Sequence, residues 1–482
     1  MTCTAAAVSP FASASEQALS IRERVASSVE LTELYLERIR RYNPSLQAIV
    51  VSNETDALQT ARQRDANLLP GSLHGVPVTV KEAFNLSGHK TTVNFPALKN
   101  NIAADDSYVV QRLKQAGAVL LGKTNVPIML ADYQSFGSLY PTANNPFDTA
   151  RTPGGSTGGG AAAVSAGLTA LEIGSDLAGS IRVPAHFCGV FGLKPTENAA
   201  MHGEGHVPPP PGSRAGFVAM ACIGPLARTM ADIELAWNVI NPPSWDYSSH
   251  LPQKPRLKTS LNEYKIAWFD DVGAAACGSD TKRVLAAFLQ TLQAHGVTQE
   301  KRPFSLHWLT EAYAVWGLLF GAIVGQHVPW LVGQVMKRQF AGGNAIDIRT
   351  AWKAGLSLHF PTFTRALTRR KDLIRDLQQR FTEYDFLVSP VAAGPAFHHN
   401  KEHRPIELDG HTLPYIDYAM PYNIAYNVCG NPSLVIPAGR ASNGLPIGLQ
   451  IAAPHYAEPE LIHFGKLLEQ LGFVCPTPAS YQ

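Results

Sequence analysis

Cysteine is scarce: six residues among 482, at positions 3, 188, 222, 277, 429 and 475, with no C-x-x-C pair. Spacing this wide argues against a disulfide framework and against a structural zinc site. Charge is thin as well. Asp, Glu, Lys and Arg make up 16% of the chain, and 40 basic residues against 38 acidic ones leave a formal charge of +2. Without a basic block, nucleic acid is not an expected partner. Long apolar runs are missing too. The uncharged stretch AYAVWGLLFGAIVG at 312–325 has 14 residues, fewer than the roughly 20 that cross a bilayer. The opening residues, MTCTAAAVSPFASASEQ, lack the basic start and apolar centre of a signal peptide. No transmembrane segment is expected, and the expected location is the cytoplasm. The 39 glycines and 35 prolines follow no period, which excludes collagen-like order.

What is present suits one large α/β domain over residues 1–482. Apolar residues are 45% of the chain, enough to bury a core without covalent staples. Ser27 to Glu30 has the form of a capping box, with Leu31, Leu34, Tyr35, Ile39 and Tyr42 following at helical spacing until Asn43-Pro44. Asp106 is placed to cap a second helix, whose buried side is Val109, Val110 and Leu113; Gly117 ends it, and AVLL at 118–121 follows as a strand. HGVPVTV (74–80), DFLVSP (385–390) and SLVIPA (433–438) read as further strands, and a last helix runs from Pro459 to Leu471. Strands alternating with helices predict a mixed sheet with helices on both faces. SSHLPQKPR (248–256) and HHNKEHRP (398–405) read as surface loops, and 305–378 as a mainly helical insertion or lid.

Three motifs compete for the chemistry. Gly117 to Thr124, GAVLLGKT, matches the P-loop pattern letter for letter. Its interior favours a strand, however, and the following Asn125-Val126-Pro127 does not open a helix. Gly154 to Gly158, GGSTG, fits a nucleophile elbow, but NNPFDTARTP precedes it where a strand should enter. The third motif is larger: TPGGSTGGGAAAVSAG (152–167), then GSDLAGSIRVPAHFCGVFGLKP (174–195), with Lys81 upstream in VPVTVKEAF. Close packing of small residues explains Ala161 to Ala163. It does not explain two Ser-bearing glycine loops and a Lys ending an apolar strand. A buried Lys becomes a neutral amine that can take a proton from a hydroxyl. Ser180 lies in a glycine turn whose amides can converge on an oxyanion, and Ser156 can relay between the two.

The block from Gly154 to Pro195 resembles the signature of the amidase signature family, the Ser–cisSer–Lys amidohydrolases. The likeness extends to GAVLLGKTNVP (117–127), NNPFD (144–148), GPLARTMAD (224–232), and GNPSLVIPAG with GLPIGLQIAAP near the C-terminus. Residues 15–235 form the catalytic signature part. The resemblance implies the amidase signature fold, a central mixed sheet flanked by helices. It assigns Lys81 as base, Ser156 as cis-Ser and Ser180 as nucleophile. It gives the oxyanion amides to Leu177, Ala178, Gly179 and Ser180, and loop bracing to Asp176 and Arg182. It implies no metal or cofactor, a small-molecule amide substrate and a possible homodimer. This chain departs from the family's common pattern at Thr157, at the bulkier Leu177-Ala178 and at Cys429, which reads as a buried small residue.

The expected activity is cleavage of a carboxylic amide through a serine acyl-enzyme, releasing a carboxylate and ammonia or an amine. One alternative is the amidase subunit of a glutamine-dependent amidotransferase; another is a catalytically silent scaffold on the same fold. PIMLADYQSFGSLY (127–140) is expected to line the acyl pocket, with Met129, Tyr133, Gly154 and Gly155 as substrate-binding candidates. Residues 312–336, including Trp316, Phe320 and Trp330, are as well explained by helix packing as by covering that pocket.

Overall fold

The computed structural model describes residues 9–67, 71–199, 205–208, 218–241, 257–273, 276–326, 348–356 and 359–482. Trp330 and the stretch 248–256 lie outside them. Among the described residues, eleven strands form one mixed sheet. Its order is β1 (Ile49–Ser52), β3 (Val119–Thr124), β2 (Pro77–Lys81), β4 (Leu171–Asp176), β6 (Cys222–Ala227), β5 (Phe191–Lys194), β12 (Ser433–Arg440), β13 (Pro446–Ala452), β9 (Phe386–Pro390), β7 (Lys265–Trp268) and β8 (Thr298–Lys301). A separate hairpin pairs β10 (Ile406–Leu408) with β11 (His411–Leu413). β2 runs parallel to both β3 and β4, whereas β4 pairs antiparallel with β6.

Alternation along the strands divides the core. Leu434 and Ile436 enter one apolar cluster and Val435 the other; Phe386 and Val388 are likewise separated from Leu387. Side chains of successive strand residues point to opposite faces, so each face of the sheet needs its own cover. One face is covered by α1 (Ala14–Arg22), α2 (Ser28–Leu46), α4 (Tyr108–Gln115), α7 (Met230–Ile240), α8 (Ser279–Ala294) and α13 (Glu458–Gln470). The other is covered by α5 (Gly158–Ser165), α6 (Arg182–Cys188), α9 (Leu306–Gly325), α11 (Phe360–Arg380) and α12 (Met420–Val428). Helix α3 (Glu54–Ala66) packs its Ala57 and Ala61 on Val119.

Three local expectations are corrected. Ser27 and Glu30 do form a reciprocal capping box, but α2 runs past Pro44 to Leu46. Its exit is held by Asn43, whose Oδ1 accepts the amides of Ala48 at 2.8 Å and Ile49 at 2.9 Å. Ser107, not Asp106, caps α4 by accepting from Val110, while Asp106 takes the amide of Ser87 at 2.9 Å. The apolar run at 312–325 belongs to a longer helix: α9 has 20 residues, a length and apolarity sufficient to cross a bilayer. Its Leu309, Ala312, Tyr313, Val315, Trp316 and Leu319 instead enter the core. Next to it, α10 (Ile348–Gly355) approaches so closely that a Cβ on Gly321 would stand 2.3 Å from the Trp352 carbonyl oxygen.

Candidate active site

Lys81 ends β2, between β3 and β4, and is fully buried. Its Nζ lies 2.7 Å from Ser156 Oγ, 3.1 Å from Ser175 Oγ and 3.2 Å from the Ser175 carbonyl. Burial depresses its pKa to about 7, against the opposing pull of Asp176 and Glu172. Both carboxylates stand on β4. Glu172 is buried beside Lys81, its oxygens accepting from Thr79 at 2.5 Å and Thr124 at 2.6 Å. Burial raises that carboxyl to about 8, against those hydrogen bonds and the Lys81 charge.

Ser156 is buried and follows a cis peptide bond from Gly155. Gly155 is required by its neighbours, because a Cβ there would meet the Asp132 carbonyl oxygen at 2.2 Å. Two residues beyond Ser156, α5 begins. No strand enters this loop, which removes the nucleophile-elbow geometry. The Thr157 amide donates to the Ser180 carbonyl at 3.1 Å, tying the two serine loops together. The Thr157 side chain is buried too, its hydroxyl donating to the Ser175 carbonyl at 3.4 Å.

Ser180 sits between β4 and α6, half-buried. The Asp176 carboxylate organises this turn by accepting the amides of Gly179 at 2.8 Å, Ile181 at 3.0 Å and Arg182 at 3.3 Å. It also receives Arg182 Nε at 3.1 Å and Nη2 at 3.0 Å. Burial alone would raise the Asp176 carboxyl, but the Arg182 guanidinium outweighs it and holds the group below the usual carboxylate range. Arg182 reaches further, to the Asn423 carbonyl at 3.1 Å, Gln450 Oε1 at 3.0 Å and Asn427 Oδ1. Asp176 and Arg182 thus tie the turn between β4 and α6 to its surroundings.

The four expected oxyanion amides divide three to one. Gly179 N–H is already given to Asp176, whereas the amides of Leu177, Ala178 and Ser180 meet no acceptor among the described residues. Leu177, Ala178 and Ser180 are thus the expected amides left available to a further acceptor. Tyr133 is buried with its hydroxyl on the Ala178 carbonyl at 2.7 Å, and Met129 is 42% exposed on the same segment. Gly154 turns at φ +90° against Pro184, where a Cβ would come within 2.9 Å of Pro184 Cα.

Other flagged features have structural occupations. GAVLLGKT spans β3, and its Lys123 is buried against Thr91 Oγ1 at 2.7 Å and Glu82 at 3.8 Å. His403 of the 398–405 loop pairs with Asp132 at 2.6 Å, and Tyr415 donates to the same carboxylate. Cys429 is fully buried, which pushes its thiol up. A cavity of about 790 Å³ is lined by Arg151, Asp280, Phe397, Lys401, Glu407 and Asp409 among others, and none of Lys81, Ser156 and Ser180 lines it. Sequence patterns do not single out Ser175, Asn427 or Gln450; the fold brings them to Lys81, Asp176 and Arg182 respectively.

The family model for Amidase matches residues 30–462. An acylamidase of Rhodococcus erythropolis is 33% identical over 466 residues, covering 92% of this chain and 92% of that protein. A glutamyl-tRNA(Gln) amidotransferase subunit of Carboxydothermus hydrogenoformans is 31% identical over 492 residues, covering 95% and 97%. The solved structure of a fatty acid amide hydrolase superposes with a TM-score of 0.79 at 22% identity, over 97% of this chain and 86% of that one. At that identity the superposition speaks to fold. Together with the sequence relatives and the family match, it makes this chain a member of the Amidase family and an enzyme of the amidase type.

Proposed function

We propose a free-standing amidohydrolase that works through an acyl-enzyme on Ser180. The observation that carries this reading is the 2.7 Å contact between buried Lys81 Nζ and Ser156 Oγ. A buried amine at this distance can hold a hydroxyl proton, provided it is itself unprotonated. Neutral Lys81 takes the Ser156 proton as Ser156 takes that of Ser180. Ser180 Oγ bonds to the amide carbon, and the charge developing on the carbonyl oxygen meets the free amides of the 177–180 loop. The C–N bond breaks as the proton returns through Ser156 to the leaving nitrogen. Water then enters by the same relay and releases the carboxylate.

Partitioning tests the covalent intermediate. With benzamide, hexanamide and acetanilide as trial substrates, added hydroxylamine should divert acyl groups to the hydroxamate. For amide and ester of one acyl group the hydroxamate-to-acid ratio should be the same. A ratio that changes with the leaving group contradicts a common acyl-enzyme.

The amidotransferase reading draws support from the 31% identity to a component of such an enzyme. It predicts free glutamine among the good substrates and a stable protein partner; the free-standing reading predicts neither. We also propose a cytoplasmic location and a homodimer, with residues 305–378, of which 327–347 and 357–358 lie outside the described residues, forming a helical insertion or lid.

A further inference from the structure

Trp316 stands on α9, remote in sequence from the serine loops, and is buried. Its indole Nε1 donates to the Leu177 carbonyl at 3.1 Å. A trans peptide is planar, with its carbonyl and amide N–H pointing in opposite directions. Whatever grips a carbonyl in the 176–180 loop therefore aims the amide of the next residue.

Each peptide unit of the loop can be followed in this way. Leu177 N–H shares a unit with the Asp176 carbonyl, which Asn427 Nδ2 approaches at 3.3 Å. Gly179 N–H shares one with the Ala178 carbonyl; that unit is fixed at both ends, by Tyr133 at 2.7 Å and Asp176 at 2.8 Å. Ser180 N–H shares one with the Gly179 carbonyl, which accepts the Val183 amide at 2.7 Å at the start of α6. The unit between Leu177 and Ala178 is held at its carbonyl end by Trp316 and leaves Ala178 N–H free.

We infer that Trp316 is a positioning residue that aims the Ala178 amide at the developing oxyanion. The inference rests on the reading of Ser180 as nucleophile. It gives the helical segment a role beyond covering a pocket: α9 sets the geometry of a catalytic donor. The indole is itself fixed by stacking on Phe320, with ring centroids 4.7 Å apart and planes at 15°. Phe320 stacks in turn on Trp352 of α10 at 5.9 Å. An oriented donor acts more strongly on the transition state than on the substrate carbonyl, so its loss should appear in kcat rather than KM.

The test is Trp316→Phe, which keeps an aromatic ring for the stack and removes the N–H. With an anilide substrate, kcat should fall about tenfold with KM unchanged, the effect of one ordinary hydrogen bond. The inhibition constant of phenylboronic acid, a tetrahedral mimic, should weaken by the same factor, while product inhibition by benzoate stays as in wild type. Benzothienylalanine introduced at 316 by amber suppression has nearly the shape of Trp without its N–H. It should behave as Trp316→Phe does and keeps the test open should the Phe variant fold poorly. Unchanged kcat and boronate affinity in either folded variant overturns the inference, as does a raised KM with kcat preserved, the mark of a pocket wall. Labelling of Ser180 by a fluorophosphonate separates the two levels. A labelled Ser180 with a fully active variant sinks the role of Trp316 alone; an unlabelled Ser180 sinks the reading beneath it.

Discussion

At Lys81 a single substitution separates a base from a structural cation. Arginine keeps the charge and most of the volume but cannot give up its proton near neutral pH. Lys81→Arg should still fold, with a lower Tm because this fully buried site disfavours a permanent charge, and its folded fraction should lose about 10²–10⁴ in kcat, the usual worth of a general base. In wild type, kcat/KM should rise with pH through about 7, where burial has moved Lys81. The sign follows from the depressed pKa: below it the amine is protonated and has no lone pair to offer. A folded Lys81→Arg protein with more than about a tenth of wild-type turnover would remove Lys81 from that role. Lys81 was legible in the sequence because a lysine ending the buried run VPVTVK has few bland explanations. The commitment of Gly179 N–H was not legible, since it depends on which way the Asp176 carboxylate turns. Nor was the Trp316 contact: 139 residues separate indole and carbonyl, and no local pattern announces such a pair.

Between elements, Arg182 is the junction. Its guanidinium joins the end of β4 through Asp176, α12 through Asn423 and Asn427, and β13 through Gln450. Both members of the ion pair are fully buried. Arg182→Leu leaves the Asp176 carboxylate in the core without its partner, a loss that typically costs about 3–5 kcal/mol. Chemical denaturation should show a drop of that order and weaker fluorophosphonate labelling of the folded fraction; unchanged stability would contradict the junction. Element ends were the least legible features. Ser107 and Asp106 are both good caps, and the competition is settled by Ser87, which claims Asp106 from another loop. Pro44 reads as a stop, yet Asn43 secures one more turn by accepting two amides beyond it.

At the scale of the molecule, the alternating pattern was enough to place helices on both faces of a mixed sheet. The strand order was not available from it. β12 and β13, from the C-terminal part, lie between β5 and β9 and complete the sheet through the middle. That insertion carries Gln450 to Arg182, so the hydrogen bonding around Arg182 needs the last strands to be in place. The helical segment is likewise part of the whole: α9 and α11 enter the same apolar cluster as α5 and α6. All these parts converge on one serine. The most direct measurement is therefore to label the intact protein with a fluorophosphonate and locate the adduct by peptide mass mapping. One adduct per chain on Ser180 is expected, and Lys81→Arg should abolish it while leaving the fold intact. An adduct on Ser156 with Ser180 unmodified would contradict the relay and the oxyanion assignment together.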